Sequence, residues 1–121
     1  MQRFTDIKCW QKAHAMVLQV YRLTSGFPAT EKFGLTSQLR RAMLSVPTNI
    51  AEGSKRVGRQ EYSRFLNISE GSLAEVAYLM MVARDLTYIT PPQAKAMLAQ
   101  ATELAVMLHS LRSRVDSRID Y

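Results

Sequence analysis

Residues 94–115 read AKAMLAQATELAVMLHSLRSRV. Within this stretch Ala94, Met97, Ala101, Leu104, Leu108, Leu111 and Val115 recur at steps of three and four without a slip. That spacing lays all seven side chains along one stripe of an α-helix, a heptad seam that must face other helices. Thr90, Pro91 and Pro92 precede it, a capping residue followed by proline in the first turn. A helix is therefore predicted from Pro91 to about Arg114 or beyond. A seam of this kind needs partners, and the rest of the chain supplies three.

Upstream, residues 59–87 hold no proline, and Tyr62, Phe65 or Leu66, Ser69, Leu73, Val76, Met80 and Ala83 mark a helical face. Gly71 lies mid-segment, where it costs up to ~1 kcal/mol relative to alanine, so a close helix crossing or a close partner is expected there. A further helix is predicted from Leu35 to Gly53, with Leu35, Leu39, Ala42 or Met43, Val46 and Ile50 on its stripe. Pro47 falls inside it. An interior proline removes a backbone donor and costs ~3 kcal/mol in an ordinary helix. The pattern continues in phase across it, so the reading is a helix kinked at Pro47. The first helix runs from about Asp6, as N-cap, to Ser25, with Ile7, Trp10, Ala13, Val17, Val20 or Tyr21, and Thr24 inward. The sum is an all-α, up-down-up-down antiparallel four-helix bundle, one domain over residues 1–121.

Composition narrows the class. The chain of 121 residues is 47% hydrophobic and 21% charged, ordinary globular values. One cysteine, Cys9, excludes an internal disulfide framework and a multi-cysteine zinc site. The opening MQRFTDIKCWQK lacks the apolar core of a signal peptide, and no apolar run reaches the ~18–20 residues of a membrane span. A soluble cytoplasmic protein is expected. Its net charge of +6 suits an anionic partner, nucleic acid first. The surplus is concentrated: residues 38–64 hold Arg40, Arg41, Lys55, Arg56, Arg59 and Arg64 against Glu52 and Glu61 alone.

No catalytic constellation is visible. Gly53 and Gly58 are five apart, but the Gly-Lys-Ser/Thr of a phosphate-binding loop does not follow. His14 and His109 could meet if their helices are adjacent, yet neither has a glutamate three residues before it, so a metal centre is not expected. Nor does an arginine precede either histidine by four to six residues, the spacing of all-α HEPN ribonucleases. Cys9 near a helix start could carry a lowered thiol pKa, but a small half-buried residue is the plainer reading. Met43, Met80 and Met97 fall on core stripes and read as core filling.

The polar residues of the second helix form a stripe of their own: Gln38, Arg41, Ser45, Asn49 and Glu52. If the second and third helices form a hairpin about Val57, antiparallel counting sets residue 52 near 63 and 41 near 74. This predicts ion pairs Glu52–Arg64 and Arg41–Glu75, with Asn49 bonding the backbone freed by Pro47. Arg41, Asn49, Glu52, Ser72 and Glu75 are thus read as a network that fixes hairpin register, in preference to a ligand site.

These residues carry a resemblance. Trp10-Gln-Lys-Ala13, Phe27-Pro28, Phe33-Gly-Leu-Thr-Ser-Gln-Leu-Arg-Arg-Ala42, Ser45-Val-Pro-Thr-Asn-Ile-Ala-Glu-Gly53 and Phe65-Leu-Asn-Ile-Ser-Glu-Gly-Ser-Leu-Ala-Glu75 together resemble the four helix bundle proteins called 23S rRNA intervening-sequence proteins. The likeness covers about residues 4–90, with the last helix matched in pattern only. It implies a small bacterial cytosolic protein without established enzymatic activity. Related bundles, including the accessory protein of diversity-generating retroelements, are ring-shaped homopentamers that bind nucleic acid. Met43 and Ser69 depart from the usual small residue and alanine.

The combined expectation is a non-enzymatic, homo-oligomeric nucleic-acid-binding protein with no cofactor, a pentamer by the resemblance. Arg40, Lys55, Arg56, Arg59 and Arg64 are its predicted phosphate contacts, with little base reading because aromatic residues are few in that cluster. The alternative is a protein-interaction scaffold whose charge only aids solubility, since Leu98 and Ala105 extend the apolar surface of the last helix.

Overall fold

A computed structural model describes residues 3–117, so the single domain expected over 1–121 extends at both ends beyond the described residues. Four helices carry the chain: α1 (Lys8–Thr24), α2 (Leu35–Ser54), α3 (Arg59–Asp85) and α4 (Pro91–Asp116). Among the described residues there is no strand. The helices pack in ring order, α1 on α2, α2 on α3, α3 on α4, and α4 back on α1, the last contact being the sparsest. Cross-helix bonds give the directions. Arg40 of α2 meets Thr24 at the end of α1, Ser45 meets Ser72, and Lys12 and Gln19 meet Glu103 and Gln100 in descending order. The bundle is up-down-up-down.

The predicted stripes are its core. Leu39, Met43, Val46, Ile50, Leu66, Val76, Met80, Ala83, Leu104 and Leu108 are all essentially sealed from solvent. Met16 and Leu79 join this core without having stood on a predicted stripe. Helix α2 runs through Pro47 without interruption. There Ser69, itself fully buried, donates its hydroxyl to the Val46 carbonyl at 2.8 Å, a polar clasp inside the core. Close by, α2 and α3 approach so nearly that a Cβ on Gly53 would stand 2.7 Å from Cβ of Phe65.

Ends of helices show where local chemistry departs from expectation. Asp6 is not the cap of α1: Phe4–Asp6 form a 3-10 turn and Ile7 precedes the helix without a side-chain cap. The Phe4 ring sets its edge on Trp10 at 5.1 Å, which fixes the lead-in and leaves Asp6 exposed. Thr90 caps α4 as predicted, in a reciprocal capping box with Gln93. Helix α3 ends two residues before the predicted Thr87. Thr87 adopts φ 63°, its N–H bonds Arg84 O, and the next N–H, of Tyr88, bonds Ala83 O at 2.8 Å. That is a Schellman closure with threonine where glycine is usual, so composition gave no warning of it. Helix α2 starts after Gly34, and Glu31 serves as its cap, accepting from the Leu35 N–H at 3.1 Å. Glu31 also accepts from the Tyr88 hydroxyl at 2.8 Å, tying the α1–α2 and α3–α4 connectors together at one end of the bundle.

Candidate nucleic-acid interface

The opposite end holds the turn between α2 and α3. Its residues are Lys55, Arg56, Val57 and Gly58, and Gly58 takes φ 93°, a left-handed conformation that glycine adopts without strain. Lys55, Arg56 and Arg59 project here, all exposed, and Val57 is 97% exposed at the tip. Of the five predicted phosphate contacts, these three share a surface.

Arg40 does not join them. It lies fifteen residues back along α2, about 22 Å at the helical rise. Its Nε donates to Thr24 Oγ1 at 2.8 Å and its guanidinium lies 4.4 Å from the Tyr21 ring centre. It bolts α2 to the end of α1, so the basic run seen along the sequence is split by helix length. Arg64 stays near the turn but is engaged. Its Nε and Nη2 donate to both carboxylate oxygens of Glu61, at 2.9 and 3.1 Å. Those bonds hold the Glu61 carboxyl below its usual range. Arg56 and Arg64 each lie 4.8 Å from the centre of the Phe65 ring, and Arg56 reaches Glu52 at 3.8 Å.

Two side chains missed by the sequence reading complete the surface. Arg114, from the end of α4, and Tyr62, from the start of α3, line a cleft of about 420 Å³ together with Arg56, Arg59, Leu111 and Val115. Arg114 Nη1 donates to Ser110 Oγ at 2.9 Å, and among the described residues neither Arg114 nor Arg59 has a carboxylate partner. A second cleft of about 510 Å³ shares Tyr62, Leu111 and Arg114 with the first and is lined further by Asp6, Lys8 and Cys9. Only packing of α1 and α4 beside the α2–α3 turn brings these residues together, and no local pattern encodes it. Burial raises the Tyr62 phenol pKa. Burial also drives the Cys9 thiol up to about 11, with neighbouring backbone bonds and the Arg114 charge opposing. Cys9 is thus a buried protonated thiol, in line with the plainer reading and more deeply enclosed than it expected: desolvation outweighs the helix start.

The register network is only partly as predicted. Val46 stands opposite Ser69, which agrees with the hairpin counting, and Ser45 and Ser72 share a hydrogen bond of 2.8 Å. Asn49 belongs to it, but its Nδ2 donates to the Ser45 carbonyl and hydroxyl at 2.8 and 2.9 Å. The carbonyl freed by Pro47 is that of Met43, one helical turn back, so Asn49 serves another acceptor. The ion pairs are not formed. Glu52 pairs with Arg56 and Arg64 with Glu61, each within one turn, where no cross-helix geometry has to be met. Arg41 and Glu75 are both exposed and unpaired among the described residues, since water holds each charge at little cost.

The histidines lie apart from the cleft. His14 stacks on Trp10 with ring centres 5.1 Å apart, and His109 approaches Glu70, which Arg112 also engages. Among the described residues no three His, Cys, Asp or Glu side chains converge as metal ligands. No described helix is long and apolar enough to cross a membrane.

Comparison with known proteins adds a lineage. The family model described as 23S rRNA-intervening sequence protein matches residues 5–110. A crystal structure of a protein with unknown function from the S23 ribosomal protein family of Bacteroides thetaiotaomicron VPI-5482 superposes with a TM-score of 0.80. The match covers 86% of this chain and 97% of that one at 22% identity, a likeness of fold. No curated protein matches the sequence.

Proposed function

Since the chain belongs to the 23S rRNA-intervening sequence protein family, we propose that it is a non-enzymatic, homo-oligomeric cytoplasmic protein that binds RNA or DNA through phosphate contacts at the α2–α3 end of its bundle. The observation that carries this reading is the meeting of Arg56, Arg59 and Arg114, from three separate places in the chain, around one cleft. Of these Arg59 and Arg114 have no carboxylate partner among the described residues, and cations gathered in this way raise the local potential and favour a polyanion. The contact set is therefore revised to Lys55, Arg56, Arg59 and Arg114, with Lys8 at its border. Arg40 and Arg64 spend their donors within the fold.

Binding of the purified protein to structured RNA and to duplex DNA across a salt series tests the reading. A steep fall of affinity with salt supports it, and the Lys55→Ala, Arg56→Ala, Arg59→Ala triple variant should weaken binding and flatten the slope. Absence of binding even at low salt overturns it.

Self-association draws its support from the α3–α4 face. Gly71 is exposed and a Cβ there would meet nothing within 4 Å, so no crossing among the described residues explains this glycine. Beside it, Ala74, Ala77, Met81, Leu98 and Ala105 line a shallow apolar groove. A pentamer is the assembly proposed, and light scattering with sedimentation measures it. The same groove favours the second reading, a protein-interaction scaffold. A stable oligomer that ignores nucleic acid at low salt would select that reading.

A further inference from the structure

The cleft at the α2–α3 end is more than a patch of charge. A duplex offers phosphates along a convex ridge, and an open array of arginines and lysines is enough to meet them. Here the arginines line a concavity together with Tyr62, Leu111 and Val115, apolar or aromatic surface that a phosphate has no use for. Its volume of about 420 Å³ lies within the ~300–1,000 Å³ typical of sites for small organic ligands. Bases inside a duplex are stacked and cannot enter such a space, whereas an unpaired base can leave its strand and rest on an aromatic or guanidinium plane.

We propose that this cleft receives one unpaired nucleotide of a single strand, its base against Tyr62 and Leu111 and its phosphate between Arg59 and Arg114. The inference rests on the phosphate-binding reading above and sharpens it. Arg56 is held over Phe65 and beside Glu52, so it walls the cleft, while Arg59 and the donors of Arg114 other than the Nη1 bonded to Ser110 are left for the ligand. The second cleft shares Tyr62, Leu111 and Arg114 and continues toward Asp6 and Lys8, which gives a strand leaving the first a groove to follow across the start of α1. A strand end or a loop therefore fits this surface better than a continuous helix.

Three probes separate the possibilities: a short oligouridine strand, a blunt RNA duplex of equal length, and a strand of equal length whose bases are absent. Anisotropy at low salt should show the intact strand bound about 10-fold more tightly than either other probe, the scale of one stacked base. Tyr62→Leu should remove that preference, bringing the intact strand to the affinity of the strand without bases. Should Tyr62→Leu fail to fold, photocrosslinking of a thiouridine strand to the unaltered protein replaces it, with adducts expected between Arg59 and Tyr62 or between Leu111 and Val115. Equal affinity for all three probes, or adducts confined to other segments, overturns the nucleotide site while phosphate binding stands. Binding of none overturns both.

Discussion

The seam between α2 and α3 and the seam between α1 and α4 are built on opposite terms. At the first, two backbones come so close that Gly53 has no room for a Cβ, and polar groups meet between them: the fully buried Ser69 on the Val46 carbonyl, the half-buried Ser45 on Ser72. At the second, contact is sparse and the bridges run between long side chains, Gln100 donating to Gln19 at 2.7 Å in a half-buried pair and Lys12 reaching the exposed Glu103 at 3.3 Å. A hydrogen bond buried between helices permits one register, because any slip strands its donor and acceptor away from water. A bridge to an exposed partner such as Glu103 imposes no such demand, since water replaces it. One seam specifies the fold, and the other leaves space. Clefts open along the α1–α4 side, among them the one that runs from Lys8 to Arg114 and Tyr62.

Truncation of packed side chains should break the symmetry between the seams most sharply. Leu66 of α3 is fully buried, and Leu66→Ala should cost about 2–5 kcal/mol in urea unfolding. Leu23, half-buried beside the α1–α4 cleft, should lose less than half as much on the same change. If Leu23→Ala proves as damaging, the second seam is not the looser one.

The two helical glycines come next, with opposite signs. Gly53→Ala sets a methyl against Phe65 Cβ and Tyr62, which cannot swing aside as the tip of a long chain would, and should cost about 1–3 kcal/mol. Gly71→Ala meets open space and should gain up to ~1 kcal/mol of helix propensity in the isolated chain. Measured on the assembled protein, a loss at Gly71 instead would place a neighbouring copy against it.

Smaller effects follow at the polar contacts. Ser69→Ala removes a buried donor and should cost about 1 kcal/mol, whereas Gln100→Ala should stay within about 0.5 kcal/mol. Equal costs would show that burial does not distinguish these bonds.

Glu31 offers a test by pH. The Leu35 N–H, and after it the Tyr88 hydroxyl, hold its carboxyl below the ordinary value of 4.5. A group whose folded-state pKa is lowered contributes stability that is complete above the unfolded value and disappears as pH falls through the folded one. Glu31→Gln should therefore be less stable than the parent at neutral pH, and the two urea midpoints should converge on acidification below about pH 4.5. A constant gap across that range would mean that packing, not charge, carries the contact.

The fold was legible because its information is periodic. The α4 seam, the stripe of α2 and the face of α3 each announce a buried side at helical spacing, and even the hairpin register followed from counting about Val57. The candidate site was legible only where it is local. Lys55, Arg56 and Arg59 sit within five residues and were found together. Arg114 lies over fifty residues downstream, and only the return of α4 beside the turn gives it a place there. Arg40 failed for the converse reason: nearness in sequence became distance along a rigid helix. Ion pairs were misassigned because short-range partners, Glu61 for Arg64 and Arg56 for Glu52, were at hand. Glu31 escaped notice as a cap because it bonds α2 from four residues upstream, outside the usual capping position.

Trp10 is the chain's one tryptophan, stacked on His14 in α1 with their planes 5° apart. Its fluorescence consequently reports one helix, the helix with the loosest neighbour, while circular dichroism averages over all four. Superposable unfolding curves from the two signals would mean that the bundle opens as a single cooperative unit. An earlier fluorescence transition would record α1 leaving first, an optical readout of the open seam that needs no label.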